Sequence, residues 1–183
     1  MPNPCFVPQK ITLVKGVGRH REKLASFEMA LRKAGIAHLN LVRVSSIFPP
    51  RCKIVNNRHI VEVKPGQVVF GVFSDNATNE AHRLLSASIG IAIPRNPECH
   101  GYLAEHHSFG QAEQETGDYA EDLAAQMLAT VIGVDFDPDG SWDERREIWR
   151  ISNLIVRTCN ICQSAVGKAG YWTTVLAGAV FIS

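Results

Sequence analysis

The segment Ala34 to Pro50, AGIAHLNLVRVSSIFPP, ends an apolar run on two adjacent serines, Ser45 and Ser46. A serine hydroxyl that attacks the carbonyl of the residue before it turns a peptide bond into an ester, provided the backbone holds both groups in near-attack geometry. Taken alone, the pair is more simply two strand serines on a half-exposed sheet. Three other features have spacings that suggest chemistry, and each is discounted. Cys159-Asn-Ile-Cys162 has metal or redox spacing, but there is no second pair, and in an extended segment its side chains point to opposite faces. His100, His106 and His107 lie near Glu105, yet zinc needs three or four converging ligands, so no metal is expected. Gly16-Val-Gly18 lacks the third glycine and the following acid of a phosphate-binding turn and reads as a tight turn.

The elements that must position such residues belong to one domain, since 183 residues bury one substantial core. With 45% hydrophobic and 20% charged residues, the composition is that of an ordinary soluble globular protein. A net charge of +1, with no Lys/Arg run longer than two, leaves no electrostatic footprint for nucleic acid or an anionic membrane. The apolar run Val175 to Ile182 is far short of the about 20 residues a bilayer-spanning helix needs, and it reads as a buried strand. The amino terminus, with Pro2, Pro4 and Pro8, lacks the charged-then-apolar pattern of a secretion signal. Five cysteines is an odd number, and Cys5, Cys52 and Cys99 stand far apart, so a reducing, cytoplasmic setting without disulfides is expected.

Periodicity predicts a strand over Lys10 to Lys15, ended by Gly16 and Gly18. A helix follows from Glu22, with Leu24, Phe27, Leu31 and Ala34 on one stripe and Gly35 at its stop. Leu39 to Phe48 reads as a central strand, and Gln67 to Phe73 as another, closed by a Ser74-Asp75-Asn76 turn. Asn79 to Ala92 suits a helix, Gly101 to His106 a strand, and Glu113 to Val131 a longer helix with Leu123, Met127 and Val131 on one face. Asp137 to Gly140 reads as a turn, and Ile151 to Thr158 with Tyr171 to Ile182 as a closing hairpin. About six strands and three helices, only partly alternating, predict an α+β layered domain.

Asn40 to Pro50, NLVRVSSIFPP, resembles the processing site of the pyruvoyl-dependent arginine decarboxylases, where the bond between two adjacent serines breaks. Phe27 and its helix, Ser86-Ala-Ser-Ile89, Ile91-Ala-Ile-Pro94 and Gly101-Tyr-Leu-Ala-Glu105 extend the resemblance in order over roughly residues 10 to 182. It implies a four-layer αββα sandwich, cut by its own chemistry into a small chain, 1–45, and a large chain, 46–183. Ser46 would supply the cofactor. β-Elimination of the ester leaves a dehydroalanine, which tautomerises and loses ammonia to water, giving a covalent pyruvoyl group with no added pyridoxal phosphate. Its ketone serves as the electron sink when an amino acid loses carbon dioxide.

By the same resemblance Glu105 returns the proton to the α-carbon and Asn40 acts at the pyruvoyl site, with Ser45 and Glu28 near the substrate. A protonated Glu105 would be favoured by burial beside Tyr102-Leu103-Ala104. Asn40 and Ser46 share a parity, but six residues of straight strand separate them by about 20 Å. The family's trimers, or hexamers, with active sites between subunits, offer a solution in which a neighbouring chain supplies one of the two.

The chain departs from the family pattern in two places. Glu28 stands where arginine-specific members carry an aspartate to grip the guanidinium, and a bidentate pair is sensitive to the added methylene. Gly35-Ile-Ala37-His38 replaces the usual Gly-Ile-Gly-Asn. Arginine, converted to agmatine in polyamine metabolism, is the expected substrate, with lysine or ornithine as alternatives. A non-catalytic paralogue that binds a ligand or another subunit is the reading from a different class, and processing discriminates it.

Overall fold

A computed structural model describes residues 7–56, 63–133 and 155–182, which form two stacked β-sheets with one helix on the outer face of each. In chain order the elements are β1 (Lys10–His20), α1 (Lys23–Ala34), β2 (Asn40–Arg43), β3 (Ile47–Phe48), β4 (Lys53–Val55), β5 (Val68–Thr78), β6 (Leu84–Pro94), β7 (Gly101–Phe109), α2 (Glu113–Ile132), β8 (Ile155–Val166) and β9 (Trp172–Ile182). The first sheet runs β2-β5-β9-β1-β4 and the second β3-β7-β6-β8. This is the expected α+β, four-layer αββα sandwich.

Strand alternation sorts the side chains between layers. Ile11, Phe48, Val72, Ile89, Ile91, Leu103, Ala177 and Phe181 fill the space between the sheets. Val14, Val69, Phe73, Leu176 and Val180 face α1, and Ala92 and Ala104 face α2. α1 runs as the spacing predicts, and Gly35 closes it in the left-handed conformation at φ 78°. Phe27, Leu31 and Ala34 of the predicted stripe pack against the core, whereas Leu24 is 80% exposed and the fully buried positions of the helix are Ser26 and Ala30. Those two small residues sit against Gly16 and Gly18, where an added Cβ would come within 2.2 Å of the Ala30 carbonyl oxygen and 1.9 Å of that of Ser26. The predicted tight turn is therefore uninterrupted strand whose glycines let a helix lie close.

The largest correction concerns Asn79 to Ala92, where the structure has strand β6 in place of a helix. Ser86, Ser88, Gly90 and Ala92 face α2, while Leu85, Ala87, Ile89 and Ile91 face the other sheet, and all are buried. A strand buried on both faces alternates small with large, not polar with apolar, so its period is hidden. α2 occupies its predicted span, docked through Ala120, Ala124, Ala125 and Leu128, with Val131 turned outward. At Gly90 a methyl would lie 1.9 Å from the Ala120 carbonyl oxygen. Gly90→Ala is expected to lift α2 at an overpacking cost of about 1–3 kcal/mol, or roughly 2–4 °C of melting temperature per kcal/mol. An unchanged melting curve by circular dichroism would contradict this seating.

Ser74, Asp75 and Asn76 also continue a strand, β5, in place of the predicted turn. The closing hairpin is replaced by strands of different sheets, β8 and β9. The predicted turn at Asp137 to Gly140 and the start of the predicted strand at Ile151 lie outside the described residues.

A polar clip also ties the layers together. Lys15 Nζ donates to Glu113 Oε1 at 2.7 Å and to the Cys162 carbonyl at 2.9 Å, while Ser164 Oγ donates to Glu113 Oε2 at 3.0 Å. Burial alone would raise the Glu113 carboxyl, but these hydrogen bonds and the Lys15 charge hold it below its ordinary 4.5. A depressed carboxyl contributes stability above its unfolded value and loses it as pH falls through the folded one. With both side chains more than two-fifths exposed, the pair is worth at most about 1 kcal/mol. Lys15→Met should lower the melting temperature slightly at pH 7, and the gap should close well below pH 4.5. A gap independent of pH would point to lost packing instead.

Candidate active site

The predicted central strand Leu39 to Phe48 is broken in two, and the break carries the site. β2 is an edge strand, parallel to β5 in the first sheet, and Val44 N–H extends that ladder to the Gly71 carbonyl at 3.1 Å. Three residues later β3 pairs antiparallel with β7 in the second sheet, and Leu103 N–H donates to the Ser46 carbonyl at 2.8 Å. The Ser45–Ser46 bond thus lies where the chain leaves one sheet for the other. Pro49, buried, follows the two-residue strand.

The crossing is held on both sides. Arg43 pairs with Asp75 of β5, donates to the Phe73 carbonyl at 2.8 Å and lies over the Phe73 ring. Beyond Leu103, two carbonyls of β7 accept from side chains of β5 in the facing sheet. Ser74 Oγ donates to the His106 carbonyl at 2.7 Å and Asn76 Nδ2 to the Ser108 carbonyl at 3.0 Å. Ser88 Oγ adds a longer bond to the His106 carbonyl, at 3.3 Å. These contacts fix the backbone from His106 to Ser108, directly after Glu105. The sequence reading missed them because serine and asparagine in an apolar run signal a turn. The alternation Val72, Ser74, Asn76, Thr78 was the available sign that the strand continues.

The product of this scaffold is one contact: Ser46 Oγ donates to Glu105 Oε2 at 2.6 Å. Ser46 is half-buried and Glu105 exposed, so within one chain Tyr102 to Ala104 do not supply the burial expected for this carboxyl. The hydrogen bond sets a hydroxyl against a carboxylate, the geometry that activation of a hydroxyl as nucleophile would require. The neighbouring cavity, about 360 Å³, is lined by Pro8, Val44, Ser45, Ile47, Phe70 and Phe181 among others and carries no charged group.

The other predicted residues have different partners. Asn40 Nδ2 donates to the Gly66 carbonyl at 2.6 Å, and the Asn40 N–H to that of Gln67. Glu28, on the outward side of α1, accepts from Arg32 Nε at 2.5 Å beside a cavity of about 620 Å³ that includes His20 and Met29. His38 is exposed, and its carbonyl accepts from Gly66 N–H at 2.7 Å. Cys159 packs with the inter-sheet core while Cys162 is buried, and burial raises both thiols, that of Cys162 to about 11. Among the described residues no group of three or more His, Cys, Asp or Glu is placed to hold a metal. His106 stacks on Tyr119 instead. No helix among them is long and apolar enough to cross a membrane.

An αββα sandwich that turns a serine hydroxyl onto a carboxylate where the chain changes sheets is the frame of a decarboxylase working through a covalently bound pyruvoyl group. The family model described as pyruvoyl-dependent arginine decarboxylase matches residues 10–183, and the chain belongs to that family. A Nitrosopumilus maritimus protein named "Pyruvoyl-dependent arginine decarboxylase" is 52% identical over 179 residues, 97% of this chain and 98% of its own. "Pyruvoyl-dependent arginine decarboxylase 2" of Methanosarcina acetivorans is 50% identical over 180 residues with the same coverage. A Chlorobaculum tepidum protein, "Probable pyruvoyl-dependent arginine decarboxylase", is 52% identical over 178 residues, again with 97% and 98% covered.

The residues fit a pyruvoyl group made from Ser46. Its hydroxyl touches a carboxylate, and its own carbonyl, which would adjoin the ketone of such a group, accepts the Leu103 N–H.

Proposed function

We propose that the chain cleaves itself between Ser45 and Ser46 into 1–45 and 46–183, and that the product decarboxylates arginine to agmatine. The Ser46 to Glu105 hydrogen bond carries this reading, because it places a proton acceptor on the one hydroxyl able to open that peptide bond. When formed, the pyruvoyl ketone supplies the electron sink for loss of carbon dioxide. Glu105 then has a second task, holding the proton that returns to the substrate α-carbon. Leu103 N–H keeps the adjoining carbonyl in place and favours negative charge on it.

A trimer with sites between subunits completes the reading. The cavity beside Ser45 offers a cationic side chain no carboxylate, and Glu28 and Asn40 are held by partners of their own. A neighbouring chain that brings its Glu28 or Asn40 to Ser46 removes both difficulties. Val42, Ile47 and Val68, all more than a third exposed, give the edge around β2 an apolar face suited to such packing. Mixing Asn40→Ala and Glu105→Gln chains should then restore part of the activity, whereas shared sites are excluded if no mixture ever recovers any.

Intact mass spectrometry of the denatured protein tests the cleavage. Two fragments are expected, the larger lighter by one ammonia than a serine-ended chain, while a single intact chain would favour the non-catalytic paralogue. A panel of arginine, lysine and ornithine tests the substrate. Glu28→Ala should raise KM for arginine about tenfold or more through loss of a charged hydrogen bond, with kcat less affected. An unchanged KM would leave Glu28 with only its Arg32 pair.

A further inference from the structure

The serine and carboxylate account for the nucleophile and its base but leave open what receives the charge on the attacked carbonyl. The backbone around Ser46 answers this. Ile47 N–H donates to the Ser45 carbonyl oxygen at 2.9 Å, a bond from residue i+2 back to i that makes Ser46 the centre of a γ-turn. Ser46 is not among the non-glycine residues with positive φ, which are Arg51 and His82 among the described residues, so this is the inverse, unstrained form. Activation here comes from aligned hydrogen bonds, not from left-handed backbone strain. The turn is pinned to β7 by the Leu103 N–H on the next carbonyl, and Ser46 Oγ is engaged by Glu105 at the same time.

We propose that the backbone N–H of Ile47 is the oxyanion donor for the acyl shift that opens the Ser45–Ser46 bond. The inference rests on the reading that this bond is the one cleaved. In the shift the Ser46 hydroxyl proton passes to Glu105, Oγ bonds to the Ser45 carbonyl carbon, and the carbonyl π pair moves onto its oxygen. Charge builds on the atom that already accepts the Ile47 N–H. As the pair returns, the bond between that carbon and Ser46 N breaks, and the nitrogen leaves as an amine carrying the proton back from Glu105. The product is an ester with no atom gained or lost. The donor belongs to the main chain and is invisible in the side-chain pattern. The Ile47 side chain, 37% exposed, lines the cavity beside Ser45.

The test replaces Ile47 by its α-hydroxy acid analogue, which exchanges the N–H for an ester oxygen and keeps the side chain. Conversion of the full chain to 1–45 and 46–183 is followed by intact mass, beside the same chain assembled with its native amide and beside Ser46→Ala. Removal of one preorganised donor is expected to slow cleavage about 100- to 1000-fold relative to the same chain assembled with its native amide. Native-rate cleavage of the ester variant, folded by its melting curve, would overturn the inference and leave the Ser46 assignment standing. Cleavage persisting in Ser46→Ala, or never occurring in the native chain, would instead overturn the underlying reading. Should the ester variant fail to fold, hydrogen exchange at the Ile47 amide in the Ser46→Ala chain decides. Protection supports the bond to Ser45, and free exchange removes the donor from the mechanism.

Discussion

Ser46→Ala is expected to yield one uncut chain of 183 residues with no decarboxylase activity. Alanine removes the only atom that can carry the acyl group away from the backbone nitrogen, and with it the carbon–oxygen bond whose elimination produces the ketone. Both losses are total, so the effect is a loss of the cofactor, not a reduced rate. Folding should be spared, because Ser46 is half-buried and its backbone bond to Leu103 does not depend on the side chain. Ser46→Cys is the informative companion. A thiol can make the same shift and elimination, so slow cleavage should return, with the small chain first ending in a thiocarboxylate. Intact mass reads both variants. Two fragments from Ser46→Ala would show that cleavage at this point does not need the hydroxyl.

The second large effect is expected of Glu105→Gln. Glutamine keeps nearly the same shape and can still meet Ser46 Oγ at the distance seen for the carboxylate, 2.6 Å, but it cannot take or return a proton. Cleavage should slow, and in the fraction that does cleave kcat should fall by about 10²- to 10⁴-fold with little change in KM, the pattern of a group that acts only in the transition state. Normal kcat in fully cleaved Glu105→Gln protein would remove Glu105 from proton return. Normal cleavage with low kcat would confine it to that one step and require another base for the shift.

Some of this organisation is legible along the chain. The end of α1 follows from helical spacing that stops at Gly35, a rule acting over a few residues, and α2 and β9 are marked by equally local runs. β6 is not legible that way. Its Ser86-Ala-Ser-Ile-Gly-Ile-Ala segment is buried on both sides, so the contrast between faces that reveals a strand is absent. Ser74 and Asn76 look like turn residues until the carbonyls of β7 are placed opposite them. Gly16 and Gly18 look like a break until α1 lies across them. In each case the residue's meaning depends on a partner distant in sequence.

The site divides along the same line. The sequence by itself determined the available chemistry: a serine preceded by a carbonyl, a carboxylate at Glu105, and an ordered set of segments that resemble one family, because covalent reactivity belongs to side chains wherever they stand. Tertiary structure decided which of these groups meet. It broke the Leu39 to Phe48 run between two sheets, brought Glu105 across 59 residues of sequence onto Ser46, aimed the Ile47 N–H at the Ser45 carbonyl, and left Asn40 and Glu28 elsewhere. Proximity is set by the packing of distant strands and by their hydrogen-bond register, and neither is encoded by the spacing of residues along the chain.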